Sequence, residues 1–215
     1  MNNESKDMTS AASAISNEAT TLGSEIDQEQ RYRASAYGLL AGVLRAAPDQ
    51  AMLDRLSGLG NAGEEDDLML AMSTLALSAQ RHTPEVIEDE FHHLFIGLGR
   101  GEVVPYGSWY LTGFLMEKPL SDLRDDLARL GFERSDNVVE PEDHAAALCE
   151  VISIMIDDGS DLSTQNQFFQ THMLSWMGQF FDDLGNASSS VFYKSVARFG
   201  AAFIALEQQY FSMQV

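Results

Sequence analysis

The segment Glu140-Pro141-Glu142-Asp143-His144 places three carboxylates and an imidazole within five residues. Proline biases the residue before it toward an extended backbone and can itself open a helix, so the segment reads as a joint followed by a helix start. Carboxylates around the first turn of a helix meet unpaired amides and the positive end of the macrodipole, and capping accounts for one or two of them. A third leaves an acceptor for an external guanidinium, whose forked donors match a carboxylate. In the same potential the charged form of His144 is disfavoured. It is expected as a neutral hydrogen-bonding group, with simple packing at the joint as the equal alternative.

Other residue types that can do chemistry fall into weaker patterns. Glu90-Phe91-His92-His93 contains Glu-x-x-His, half the ligand set of a di-iron helical bundle, but the chain has no second copy. The apolar stripe through Phe91, Leu94 and Phe95 predicts that Glu90 and His93 face water, so no metal is expected. Cys149, the only cysteine, precedes Ile152 and Met155 at helical spacing and reads as a small core residue. Ser108 lacks a recognisable base partner, and there is no Gly-x-Ser-x-Gly elbow. The glycines at 97, 99 and 101 follow a helix rather than a strand and lack the Gly-Lys-Ser/Thr ending of a phosphate-binding loop. No catalytic residue and no cofactor is expected, and the pattern favours binding over catalysis.

The elements that must position these residues are helical throughout. Residues 1–24 lack sustained periodicity and are expected as a mobile tail. Apolar side chains then recur at three and four residue steps from Ile26 to Ala46, around Met52, Leu53 and Leu56, from Leu68 to Arg81, and from Thr83-Pro84 to Gly97. Gly97 to Ser108 carries four glycines and a proline and is expected as a surface loop. Short helices follow at Trp109–Glu117 and Ser121–Leu130, the second stopped by Gly131. Residues 133–140 read as a hinge. Beyond it come a seventh helix through His144, Leu148, Val151, Ile152 and Met155, an eighth from Phe168 to Phe180, and a ninth from Phe192 to Leu206. No convincing strand remains. The expected fold is an all-α bundle of about nine helices over residues 25–215, with an N-terminal part 25–132 and a C-terminal part 141–215.

Composition narrows the partners. The 215 residues are 45% hydrophobic, enough for a substantial core, and 13 Lys plus Arg stand against 33 Asp plus Glu. A net charge of −20 repels nucleic acid and anionic lipid, so an electrostatically steered partner should be basic. The absence of a basic end followed by an apolar stretch predicts a cytoplasmic protein without stable membrane insertion. Tyr106, Trp109 and Tyr110, at the end of the glycine loop, have rings suited either to lining a peptide groove or to packing beneath it.

These motifs together resemble one family. Phe91-His92-His93-Leu94-Phe95 is similar to its aromatic-x-x-Leu-Phe signature, and Glu140-Pro141-Glu142-Asp143-His144 matches its Glu-Pro-x-Asp-His signature. The intervening loop, running into Val104-Pro105-Tyr106-Gly107-Ser108, is similar to the family's own, so the likeness spans the fourth to the seventh helix. The family is that of the TorD/DmsD molybdoenzyme chaperones. Leu98 and Val104 stand where it commonly has prolines, and Gly107 where an acidic residue often follows the tyrosine, so loop shape and partner choice are where this chain departs.

The resemblance implies a cytoplasmic chaperone, not an enzyme. Its partner would be the precursor of a molybdenum-cofactor redox enzyme, bound through the twin-arginine signal peptide and the enzyme body, with cofactor insertion assisted and premature export prevented. It also implies either a monomer or a helix-swapped homodimer. Carried onto this chain, the signal-peptide and partner-binding residues are Phe91, Leu94, Phe95, Asp143 and His144, with Glu140 and Pro141 completing the second signature and Tyr106 and Trp109 beside them. Two other readings remain open: a generic acidic scaffold for another basic protein, and a metal-binding helical-bundle oxidoreductase using Glu90 and His93.

Overall fold

Apolar stripes at helical spacing fold into ten α-helices over residues 28–61, 66–134 and 140–213, the residues that the computed structural model describes. They are α1 (28–45), α2 (Gln50–Ser57), α3 (Asp67–Arg81), α4 (Pro84–Phe91), α5 (Gly107–Thr112), α6 (Lys118–Arg129), α7 (Ala145–Asp157), α8 (Leu162–His172), α9 (Met177–Asn186) and α10 (Phe192–Met213). A 3₁₀ turn, Gly58–Asn61, extends α2, and a π turn, His92–Ile96, extends α4. No strand occurs among the described residues, only one antiparallel bridge between Tyr106 and His144. The expected tail at 1–24 and the core of the expected hinge at 135–139 lie outside the described residues.

Helix starts follow side-chain capping chemistry. Asp49, Asp66 and Asp161 each accept an amide of the first turn of α2, α3 and α8, satisfying donors that have no intrahelical partner. Pro84 opens α4 and Pro119 opens α6, where a missing amide costs nothing. The 22-residue α10 buries one long side against α9, α3 and α4. One apolar cluster includes Tyr37, Leu75, Leu94, Cys149, Trp176 and Phe203, so both halves of the chain share a single core. Cys149 is buried within it as a free thiol.

Arg33 is held inside the protein by a fork of donors, Nε and Nη2 each bonding one Glu207 oxygen at 2.8 and 2.7 Å. Nη1 reaches Gln165 at 2.8 Å and Gln30 at 2.7 Å, and the Tyr37 hydroxyl donates to Glu207 at 2.9 Å. The guanidinium also lies over the rings of Tyr210 and Phe211. A buried ion pair survives when its remaining donors and acceptors are satisfied, as here, and this one ties α1 to α8 and α10.

Two boundaries depart from expectation for identifiable reasons. The single helix expected from Phe168 to Phe180 is split at residues 173–176, giving ten helices rather than nine. The indole N–H of Trp176 donates to the His172 carbonyl at 2.7 Å, the group that the Trp176 amide would use in a continuous helix, and that amide turns to Met173 instead. The apolar spacing runs through the break and hides it. The helix expected at Trp109–Glu117 starts at Gly107 and stops at Thr112, because Gly113 adopts the left-handed conformation that ends a helix.

Candidate partner-binding site

The Tyr106–His144 bridge is the junction on which the site is built. The Gly107 amide donates to the Asp143 carbonyl at 2.9 Å and the Ala145 amide to the Pro105 carbonyl at 2.8 Å. These bonds flank a non-hydrogen-bonded antiparallel pair, the arrangement in which facing side chains approach most closely. The two rings accordingly meet edge to face with centroids 5.0 Å apart. The expected surface loop thus becomes a structural strap. Val103 and Pro105 are buried, and the Val103 amide reaches the Leu94 carbonyl at 2.9 Å, so backbone buried in this strap finds partners. Gly101 lies so close to the π turn that an added Cβ would sit 2.3 Å from the Leu94 carbonyl oxygen.

The three carboxylates of the motif do different work. They do not occupy the first turn of α7, which begins only at Ala145. Its cap is His144, whose Nδ1 accepts the Ala146 amide at 3.0 Å. Burial drives the imidazole pKa down to about 4, so the neutral form expected from the sequence is the one present. Asp143 is buried, and its Oδ2 accepts the Ser108 amide of α5 at 2.7 Å. Oδ1 of Asp143 and Oγ of Ser108 are buried without a partner. The carboxylate of Asp143, which the resemblance implies for signal-peptide binding, therefore does not face solvent.

Glu142 is also engaged. Arg124 meets it at 2.8 Å and Arg134 at 3.7 Å. Burial would raise its carboxyl, but the hydrogen bond from Arg124 and the two positive charges outweigh that and hold it below the usual carboxylate range. Glu140 alone of the three is exposed and has no ion pair among the described residues. Its charge acts on both Tyr106 and His144: the Tyr106 hydroxyl is raised by burial, then by Glu140 and Asp143. Pro141 receives the His144 amide on its carbonyl at 3.2 Å, which closes the turn that follows the exposed Glu140.

Trp109 and Tyr110 extend the site along α5. The Arg100 guanidinium covers the Trp109 ring at 5.0 Å. Tyr110 stacks on Trp176 at 5.5 Å, and its hydroxyl donates to Asp183 at 3.0 Å. Beyond Tyr110, Leu111, Phe114, Leu115 and Met116 are exposed, Phe114 by 68% and Met116 by 72%. The expected helix Trp109–Glu117 would have carried all four on one element. The available signal was Gly113, which stops α5 and leaves the following apolar residues without a helical face to bury.

Phe91, Leu94 and Phe95 are placed elsewhere. Leu94 is fully buried, so it offers no surface to a partner in this conformation. Phe91 and Phe95 pack on each other at 4.9 Å and on Tyr193 of α10 at 6.0 and 5.4 Å. The motif supports the strap from beneath, because Leu94 anchors Val103 through its backbone. Glu90 corrects a second expectation. It is buried rather than turned to water, and it accepts the amides of Val191, Phe192 and Tyr193 at 2.8, 3.0 and 2.7 Å, capping α10. A carboxylate committed to three amides is a poor half of a metal site, and no cluster of three metal-ligating side chains occurs among the described residues. Nor is any helix there long and apolar enough to cross a membrane.

With that geometry established, known proteins supply the comparison. The family described as nitrate reductase delta subunit matches residues 61–182, more than half of the chain. The chaperone protein TorD of Vibrio parahaemolyticus is 27% identical over 171 residues, covering 72% of this chain and 80% of its own length. The TorD of Vibrio atlanticus is 25% identical over 201 residues, covering 83% and 94%. A solved structure described as a putative redox enzyme maturation protein from Archaeoglobus fulgidus shares the fold at a TM-score of 0.54 and 19% identity, over 82% of this chain and 93% of that one. The chain belongs to the TorD-like nitrate reductase delta subunit family.

Proposed function

We propose that this protein is a maturation chaperone for a molybdenum-cofactor redox enzyme, and that it holds the enzyme precursor through its twin-arginine leader. The names of its relatives support the chaperone role and carry no catalytic activity. The observation that carries the leader reading is Glu140, an exposed carboxylate without an ion pair among the described residues, held near Tyr106 and His144 by the bridged turn. A leader arginine meets Glu140 there, and Glu142 can exchange Arg124 or Arg134 for it. The apolar part of the leader lies on Leu111, Phe114, Leu115 and Met116, at the far end of the six-residue α5 and about 9 Å away by helical rise. Trp109 contributes its ring edge between them. Asp143, His144 and Pro141 position Glu140 rather than touch the leader, and Leu94, Phe91 and Phe95 act by supporting the strap.

The test is calorimetric titration of a synthetic twin-arginine leader into the full chain. Glu140→Gln is expected to weaken binding by at least about tenfold, equivalent to ~1.4 kcal/mol, and to reduce its salt dependence. A leader with both arginines replaced by glutamine should lose affinity for the wild type and show no further loss with the variant. Unchanged affinity for Glu140→Gln removes Glu140 from the role, and equal binding of both leaders removes the leader reading itself.

A further inference from the structure

A second site lies on the other side of α9 from Tyr110. The face of α9 bearing Phe181, Asp182 and Gly185 forms, with α3 and α10, an open cleft of about 690 Å³. Arg81 enters it from α3, and Lys194 and Arg198 from α10. The Lys and Arg residues 33, 45, 118, 124, 129 and 134 form ion pairs with carboxylates. Arg81, Lys194 and Arg198 form none among the described residues, as is also true of Arg31, Arg55 and Arg100, but the first three line one cleft in a chain whose acids outnumber its bases 33 to 13. Lys194 and Arg198 are moreover one turn apart on the same helix, a like-charge spacing that disfavours the helix. Asp182 is the one carboxylate lining the cleft, and it pairs with none of the three. The result is a pocket of positive charge in a chain whose net charge is −20.

We infer that this cleft binds a compact small molecule carrying a phosphoryl group and an apolar ring. Guanidinium and ammonium groups that line one cleft from two helices suit the dispersed negative charge of a phosphoryl group. Leu77, Phe181 and Ala201 form an apolar wall beside them for the rest of the molecule. The volume falls within the range of small-molecule sites, about 300 to 1,000 Å³. A long polyanion such as nucleic acid is disfavoured, because charges are screened only beyond about 8 Å at physiological salt and its flanks would meet the acidic surface. The cleft uses none of the residues assigned to leader binding.

Titration of the full chain with naphthyl phosphate and with inorganic phosphate, at constant ionic strength, tests this. One naphthyl phosphate per chain is expected to bind, at least about tenfold more tightly than inorganic phosphate. The double substitution Lys194→Ala with Arg198→Ala should weaken it by at least about tenfold, whereas Arg55→Ala, at an arginine on α2 outside the cleft that has no ion pair among the described residues, should leave it unchanged. All of these side chains are exposed, and Arg81→Ala supplies the same test from the opposite wall if the double variant fails to fold. The inference is overturned by absence of saturable binding at millimolar concentration, by equal affinity for the two phosphates, or by equal effects of the cleft variants and Arg55→Ala.

Discussion

The Asp143 carboxylate accepts the Ser108 amide at 2.7 Å, while the Asp143 carbonyl accepts the neighbouring Gly107 amide at 2.9 Å. Asp143 thereby caps α5, a helix to which it does not belong, and α7 is capped by His144 next to it. One dipeptide thus fixes the starts of two helices and the turn that carries Glu140.

That relationship separates charge from position. Asp143→Ala leaves the buried Ser108 amide unsatisfied and should cost about 2 kcal/mol in urea denaturation. Asp143→Asn keeps an acceptor for the amide, and its stability loss should stay near ~1 kcal/mol, with leader binding weakened less than by Glu140→Gln. Equal losses of affinity from Asp143→Asn and Glu140→Gln would make Asp143 a direct contact instead.

His144 gives the site a pH dependence of known sign. Its imidazole titrates near 6.5 when unfolded and at about 4 when folded, so at pH values between these the unfolded state binds a proton that the native state does not. Its contribution to stability is complete above about pH 6.5 and is lost as the pH falls toward 4, by roughly 1.4 kcal/mol per unit and ~3 kcal/mol in all. His144→Asn retains a capping acceptor and does not titrate. Its stability should therefore fall less steeply than that of the wild type between pH 6.5 and 4, and parallel curves would refute the assignment.

Removal of Glu207 isolates the buried pair. Glu207→Ala strands the Arg33 guanidinium inside the protein and should cost about 3 to 5 kcal/mol. The double variant Arg33→Met with Glu207→Leu should recover much of that loss, because it removes both charges. Denaturation midpoints of the three proteins decide it, and a single variant as stable as wild type would mean that the pair contributes little.

Glu90 discriminates a cap from a ligand. Glu90→Ala exposes three amides at the start of α10 without acceptors and should lower stability by about 2 to 4 kcal/mol. Added iron or zinc should leave the melting temperature of the wild type unchanged. A metal-dependent rise that Glu90→Ala abolishes would restore the metal reading.

The helical class, the order of helices and the acidic character were legible because they depend on local matters: apolar residues three and four apart, prolines, glycines and net charge. The motif Glu140 to His144 was legible as a site for the same reason. What each side chain does there was not, because Asp143 finds Ser108 thirty-five positions earlier and Glu142 finds Arg124 eighteen positions earlier. Local spacing left one carboxylate of the three in surplus and the resemblance pointed to Asp143, whereas tertiary packing buries Asp143 and leaves Glu140 exposed. The same holds for Glu90, whose periodicity points outward while its acceptors meet α10. The split at Trp176 likewise turns on one indole taking one carbonyl. By itself, then, the sequence determined which segments are helices and where ionisable groups gather, since both follow from neighbours along the chain. Only the tertiary structure decided which of those groups is buried, paired or left for a partner, since hydrogen-bond satisfaction is settled between segments distant in sequence.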